Sequence, residues 1–316
     1  MKKQIAFLFP GQGAQYVGMG KDFYNAYEVA RQVFDEADRI LGYKFSDLIF
    51  TGSKEELTLT KNSQLAIYIV SYAILKVCQQ EMPLVNPVVC AGLSLGEYTA
   101  LTASSKISFE DCLLLVQHRA QFMNDACISH PGSMSVILGM EEDVVAEVLS
   151  SPQLSDVGIA NLNCPGQIVI AGNIEGLAKA GEHLRERGAR RILPLDVSGA
   201  FHSCLMKEAQ DRLAPYLNNV HLAKSSVDLV MNTTGDYVCD LSEIRKQLIE
   251  QVVRPVRWEK GIRSMLDHGV DLFVEIGCGK TLAGMNKRIG VAVPTISIEK
   301  IEDLQDFLKE CTTCSC

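Results

Sequence analysis

The sequence carries no excess of positive charge. Its 30 lysines and arginines stand against 38 aspartates and glutamates, a net charge of -8. That removes the electrostatic footprint of a nucleic-acid binder and gives an anionic membrane surface nothing to attract. No apolar run approaches the length of a membrane span. The opening "MKKQIAFLFPGQG" has two lysines and an apolar stretch, but Ile5 to Phe9 ends at Pro10. That is too short for the apolar region of a secretory signal, and a buried strand explains it better. Repeats and low-complexity linkers are missing as well. No second cysteine or histidine pair at zinc spacing accompanies the tail "CTTCSC", so Cys311, Cys314 and Cys316 read as a loose chain end rather than a metal site. The other cysteines, among them Cys78, Cys90, Cys112 and Cys127, sit singly in apolar segments, as in the reduced core of a cytoplasmic protein.

What is present is an ordinary soluble composition, 47% hydrophobic and 22% charged over 316 residues. That is enough chain for a sizeable core, in one large domain or a domain with an insert. Strand-like runs alternate with helical patterns through the first third, which predicts α/β architecture with a parallel sheet. "QIAFLFP" reads as a strand, "NSQLAIYIVSYAILKVCQQ" as a buried helix, "NPVVCAG" as the next strand, and "EYTALTAS" opens a helix. "SFEDCLLLVQHRAQFMNDA" is a further helix, with Ser108 and Asp111 at capping-box spacing. From about residue 132 the order becomes β-α-β-β-α-β, with a turn at Cys164-Pro165-Gly166, the ferredoxin-like arrangement. The expected organisation is a larger α/β domain of residues 1–129 and 198–316 carrying a small insert of residues 130–197. Alternation resumes afterwards in "VDLVMNTTG" and "VDLFVEIG".

The segment "CAGLSLGEYTA" (90–100) places Ser94 two residues from Gly92 and two from Gly96. Between a strand and a helix, Gly-x-Ser-x-Gly is the pattern of a nucleophile elbow: the strained serine needs small neighbours, and its hydroxyl stands at a helix N-terminus. Such a serine needs a base. His130 and His221 lie in poorly patterned stretches, His183 on a charged helix and His268 past a helix end. His118 adjoins an apolar helix face and fits a satisfied core histidine. His202, among the small residues Gly199, Ala200 and Ser203, stands only slightly ahead of it. Arg119 has Leu115, Val116, Phe122 and Met123 as its helical neighbours. A permanent charge on an apolar stripe calls for an anionic partner, whether an internal ion pair, an escape to solvent, or a ligand carboxylate gripped by the guanidinium fork. On residues alone these readings stand level. "GQGAQY" fails as a dinucleotide turn because Tyr16 occupies the third glycine position, and "GCGKT" fails as a phosphate loop because Val274 stands where its first glycine belongs.

Taken together, "FLFPGQGAQYVGMG", "GLSLGEYTAL", "QHRAQFM", "GAFHSCLM", "QVVRPVRW" and "FVEIGCGKTLAG" resemble, in order and over nearly the whole chain, the malonyl-CoA:acyl carrier protein transacylase family and the related acyltransferase domains of polyketide synthases. The resemblance implies an α/β-hydrolase-like core with a ferredoxin-like insert. It implies that Ser94 is acylated, that His202 is its base, and that the N–H groups of Gln12 and Leu95 form an oxyanion hole. It further implies that Arg119 holds the malonyl carboxylate and that Gln251 orients His202, with Asp196 the local rival for that role and Asn232 nearby. "GAFH" resembles members that accept malonyl rather than a branched extender, Phe201 crowding an α-methyl group. Leu93 replaces the more usual histidine before the serine and Ala120 a glycine after the arginine, which bears on the pocket's shape. The implied partners are malonyl-CoA and acyl carrier protein, with a CoA thioester as substrate, no cofactor or metal, and a monomeric enzyme. A serine hydrolase or thioesterase, a polyketide acyltransferase with another extender, and a catalytically silent acyl-CoA-binding scaffold are the alternatives.

Overall fold

The computed structural model describes residues 3–313. Cys314 and Cys316 therefore lie outside the described residues, as does the side chain of Cys311. The described residues form ten strands: β1 (Ile5–Phe9), β2 (Val89–Gly92), β3 (Ser133–Leu138), β4 (Val157–Cys164), β5 (Gln167–Gly172), β6 (Arg191–Pro194), β7 (Asp228–Met231), β8 (Asp236–Tyr237), β9 (Leu272–Ile276) and β10 (Thr295–Ile298). They divide between two compact units. One takes the chain up to Gln117, then His221–Val230, and then the chain from Met265 onward; the other takes His118–Val220 and Met231–Ser264.

In the first unit the sheet order is β10-β9-β1-β2-β7, and each of these pairs is parallel. Every residue of β1 and β9 is buried. Strands covered on both faces by helices become continuous apolar runs, and this is why "IAFLF" shows no alternation. The helix Thr60–Glu81 is buried around much of its circumference, as its all-round apolar pattern requires. Between β1 and that helix the chain forms further helices, including Glu28–Leu41. Glu275, inside β9, is fully buried and caps the helix Thr281–Ile289 by accepting from the N–H groups of Leu282 and Ala283. The capping pair before the helix Phe109–Ser129 forms too, the Asp111 N–H donating to Ser108 Oγ at 3.0 Å.

The second unit holds an antiparallel sheet of order β4-β5-β3-β6. Val145, Val148, Leu177 and Leu184, from the helices Glu142–Leu149 and Ile174–Glu186, pack with Ile137 and Ile170 of its strands. The chain order of these elements is the expected β-α-β-β-α-β, and Gly166, in the hairpin between β4 and β5, has the positive φ of 67° that its turn demands. The strands of this sheet run from Ser133 to Pro194, and the compact unit that holds them reaches further, taking in residues 118–129, 198–220 and 231–264. The reason is long-range hydrogen bonding. Val256 donates to Ala160 O at 2.8 Å and accepts from Leu162 N at 2.8 Å, adding a short parallel bridge at Asn161. Among the described residues, no helix is long and apolar enough to cross a membrane.

Candidate active site

In the first unit, β2 ends at Gly92 and the helix Gly96–Ala103 begins four residues on. Ser94 sits between them with φ 51°, a left-handed conformation that costs a non-glycine residue about 1–3 kcal/mol. The glycines make that turn possible by close approach. A Cβ on Gly92 would stand 2.0 Å from the main chain of Gly96, and one on Gly96 would stand 2.1 Å from Phe9 O. The loop after β1 is pressed in just as tightly, since a Cβ on Gly11 would meet Leu93 O at 2.3 Å. Gln12 ties that loop down through Nε2, which donates to Thr60 Oγ1 at 3.3 Å. Leu95 is fully buried, while Leu93 and Ser94 are partly exposed. Among the described residues, the main-chain N–H groups of Gln12 and Leu95 donate to no protein acceptor. They are available for an anion.

Main-chain atoms at 2.0 Å cannot yield as a flexible side chain can. Gly92→Ala is therefore expected to destabilise the fold by about 3 kcal/mol or more. In calorimetry that is a fall of about 5 °C or more in Tm; an unchanged Tm would mean that the elbow relaxes freely.

In the second unit, His202 alone among the six histidines is buried. Its φ is 57°, and the turn is pinned by Ser203 Oγ, which donates to Ala200 O at 2.6 Å and accepts from Leu205 N at 3.2 Å. His202 Nδ1 lies 2.7 Å from the main-chain oxygen of Gln251. A carbonyl only accepts, so Nδ1 carries the proton and Nε2 is the basic nitrogen. Gln251 thus holds His202 as the resemblance implied, but by its main chain. Its fully buried side chain does something else: Oε1 accepts from Arg119 Nη2 at 2.9 Å, and Nε2 lies 3.5 Å from Asn232 Oδ1. Arg119 is only 1% exposed, so the escape to solvent is closed to it. Phe201 is buried beside His202 in sequence. Asp196, the local rival, is exposed, and the Nδ1 hydrogen bond goes to Gln251.

His118 is accounted for differently. Its ring centroid lies 3.8 Å from that of Tyr216 and 5.6 Å from that of Phe122. It is half-buried aromatic packing on the helix Phe109–Ser129. Among the described residues, no group of three or more His, Cys, Asp and Glu side chains is placed to hold a metal ion.

Burial, and after it the positive charge of Arg119, push the His202 imidazole down from 6.5 to about 4, partly offset by the hydrogen bonds it donates to the main chain of Gln251 and Arg254. It therefore stays neutral, and able to take a proton, throughout the physiological range. The same shift sets a stability window. Below about pH 6.5 the unfolded chain binds a proton that the folded chain refuses, so stability falls between about pH 6.5 and pH 4, by on the order of 3 kcal/mol. Urea midpoints at pH 7 and pH 4.5 are expected to converge in His202→Asn relative to wild type; an identical pH slope in both proteins would contradict the assignment.

A strained serine between a parallel strand and a helix, free N–H donors beside it, and a buried histidine with a defined basic nitrogen are the equipment of an acyl-transferring enzyme. The chain belongs to the acyl transferase domain family, which matches residues 6–292. It is 42% identical over 304 residues to the malonyl CoA-acyl carrier protein transacylase of Bacillus subtilis (strain 168), covering 96% of this chain and 95% of the relative. The crystal structure of malonyl CoA-acyl carrier protein transacylase from Clostridium perfringens superposes with a TM-score of 0.93 at 36% identity, covering 99% of this chain and 98% of that one. A malonyl-transacylase solved in complex with its type II PKS acyl-carrier protein gives a TM-score of 0.93 at 34% identity, covering 98% and 100%.

Proposed function

We propose that this enzyme moves the malonyl group of malonyl-CoA to the phosphopantetheine thiol of acyl carrier protein by a ping-pong route through malonyl-Ser94. Ser94 Oγ gives its proton to His202 Nε2 and attacks the thioester carbonyl. The oxyanion is received by the N–H groups of Gln12 and Leu95, each such donor typically being worth about 10²–10³ in rate. Collapse breaks the C–S bond, and His202 returns the proton to the departing thiolate. The carrier's thiol then repeats the sequence in reverse. Arg119 binds the malonyl carboxylate, Gln251 fixes the His202 tautomer, Asn232 supports the Gln251 amide, and Phe201 and Leu93 bound the acyl pocket. The chemistry as written is redox-neutral and calls for no cofactor, the CoA thioester being a substrate. Residues 1–129 and 198–316 are read as an α/β-hydrolase-like catalytic domain that holds the parallel sheet, and residues 130–197 as a ferredoxin-like insert that holds the antiparallel one. The enzyme acts as a cytoplasmic monomer, on a carrier of fatty-acid or polyketide synthesis.

The observation that carries this reading is the burial of Arg119, a guanidinium that donates to the side chain of Gln251, the residue whose main chain holds His202. Incubation with malonyl-CoA is expected to add one malonyl group by intact mass, and a holo carrier protein to remove it faster than water does. Loss to water at the same rate with or without carrier would favour the hydrolase, and absence of any adduct the binding scaffold.

A further inference from the structure

The arginine and the histidine of the second unit meet on one residue. Arg119 Nη2 donates to Gln251 Oε1 at 2.9 Å, and His202 Nδ1 donates to Gln251 O at 2.7 Å. A fixed positive charge thus stands beside a ring that becomes positive during the reaction. We propose that the Arg119 guanidinium selects carboxylated acyl groups in the chemical step as well as in binding, because it opposes protonation of His202 until an acyl carboxylate cancels its charge. This deepens the transferase reading above and rests on it.

The physical setting favours a strong effect. Arg119 is 1% exposed and His202 4% exposed, so water screens the pair poorly and their repulsion is far stronger than at a surface. As acylation begins, the proton of Ser94 Oγ passes to His202 Nε2, the Oγ–C bond forms, and the carbonyl π pair moves onto oxygen. Until the C–S bond breaks and the thiolate takes that proton back, imidazolium and guanidinium coexist. With acetyl-CoA the imidazolium forms in the field of the guanidinium. With malonyl-CoA a carboxylate on the guanidinium offsets that field, and the imidazolium is less costly to form.

The elements around the ring make Arg119 the charged group that matters. From the helix Leu241–Gln251 and the residues after it, His202 meets the main chain of Gln251 and Arg254. The Arg254 side chain is exposed, as are Asp196, Cys204 and Lys207 along His202's own stretch. Arg119, from the helix Phe109–Ser129, is the charged side chain whose field lowers the ring's basicity, second only to burial itself.

The test is single-turnover acylation of the wild-type enzyme by saturating malonyl-CoA, acetyl-CoA and malonamyl-CoA, the last a neutral amide of malonyl shape. Rates are followed by rapid quench between about pH 4 and pH 8. The acid limb of the profile reports the enzyme–substrate complex, and with malonyl-CoA it is expected about one pH unit above its position with either neutral donor. Arg119→Gln is expected to lift the acetyl limb toward the malonyl position. Coincident limbs for all three donors in the wild type would overturn the coupling while leaving Arg119 as a binding contact. Absence of a Ser94 adduct from every donor would overturn the transferase reading, and the coupling with it. The three-donor comparison decides the matter even if the arginine variant fails to fold.

Discussion

Ser94→Ala is expected to abolish the malonyl adduct and to lower transfer to acyl carrier protein by at least about 10³-fold, with stability changed by no more than about 0.5 kcal/mol. The two halves of that expectation have separate causes. The loss is chemical: alanine removes the one atom that carries the acyl group, and neither His202 nor the N–H groups of Gln12 and Leu95 can replace it. The tolerance is structural. Ser94 already bears a Cβ at φ 51°, so alanine meets the same left-handed strain, and the turn stays pinned by the contacts of Gly92, Gly96 and Gly11. This separates it from Gly92→Ala, where the new atom has no room and the fold itself suffers. Intact mass after incubation with malonyl-CoA, set beside a thermal melt, reads both halves at once. An adduct on the Ser94→Ala protein equal to wild type would end the assignment of Ser94 as nucleophile.

The sequence announced the elbow because the rule behind it is steric and local. A strand, a turn and a helix around one serine leave room only for glycine two residues away on each side. His202 was harder to separate from His118, since both sit among apolar or small residues and burial is a tertiary property. In the fold they part: His118 is half-buried against Tyr216, and His202 is buried with its Nδ1 captured by a carbonyl. The role of Gln251 was half legible. A hydrogen bond to His202 was expected, but the atom that makes it belongs to the main chain, which carries no residue-specific signal. That frees the amide to hold Arg119, a second duty that nothing in "QVVRPVRW" discloses. The antiparallel sheet was legible from its strand and helix periods and from the Cys164-Pro165-Gly166 turn. The wider compact unit was not, because residues 231–264 join it through contacts such as Val256 with Ala160, nearly a hundred positions apart in the chain.

Arg119→Ala is expected to lower kcat/KM for malonyl-CoA by roughly 10- to 150-fold, the range set by losing a charged hydrogen bond worth about 1.5–3 kcal/mol, and to leave acetyl-CoA within about tenfold of wild type. The contrast between donors carries the weight, because the substitution does more than remove a charge. It empties a fully buried space and takes the donor away from Gln251 Oε1. The residue so disturbed also holds His202. Those costs fall on every acyl donor alike and cancel in the ratio of the two specificity constants. What survives in the ratio is the interaction that only a carboxylated donor makes. Arg119→Lys should fall between, keeping the charge while losing the planar fork that binds a carboxylate through two N–H groups. Equal losses with malonyl-CoA and acetyl-CoA would make Arg119 a structural strut for Gln251 and would leave the choice of donor to the shape given by Phe201 and Leu93. A hydrophobic wall discriminates one small acyl group from another by only about 1–3 kcal/mol, and it has no means of preferring an anion.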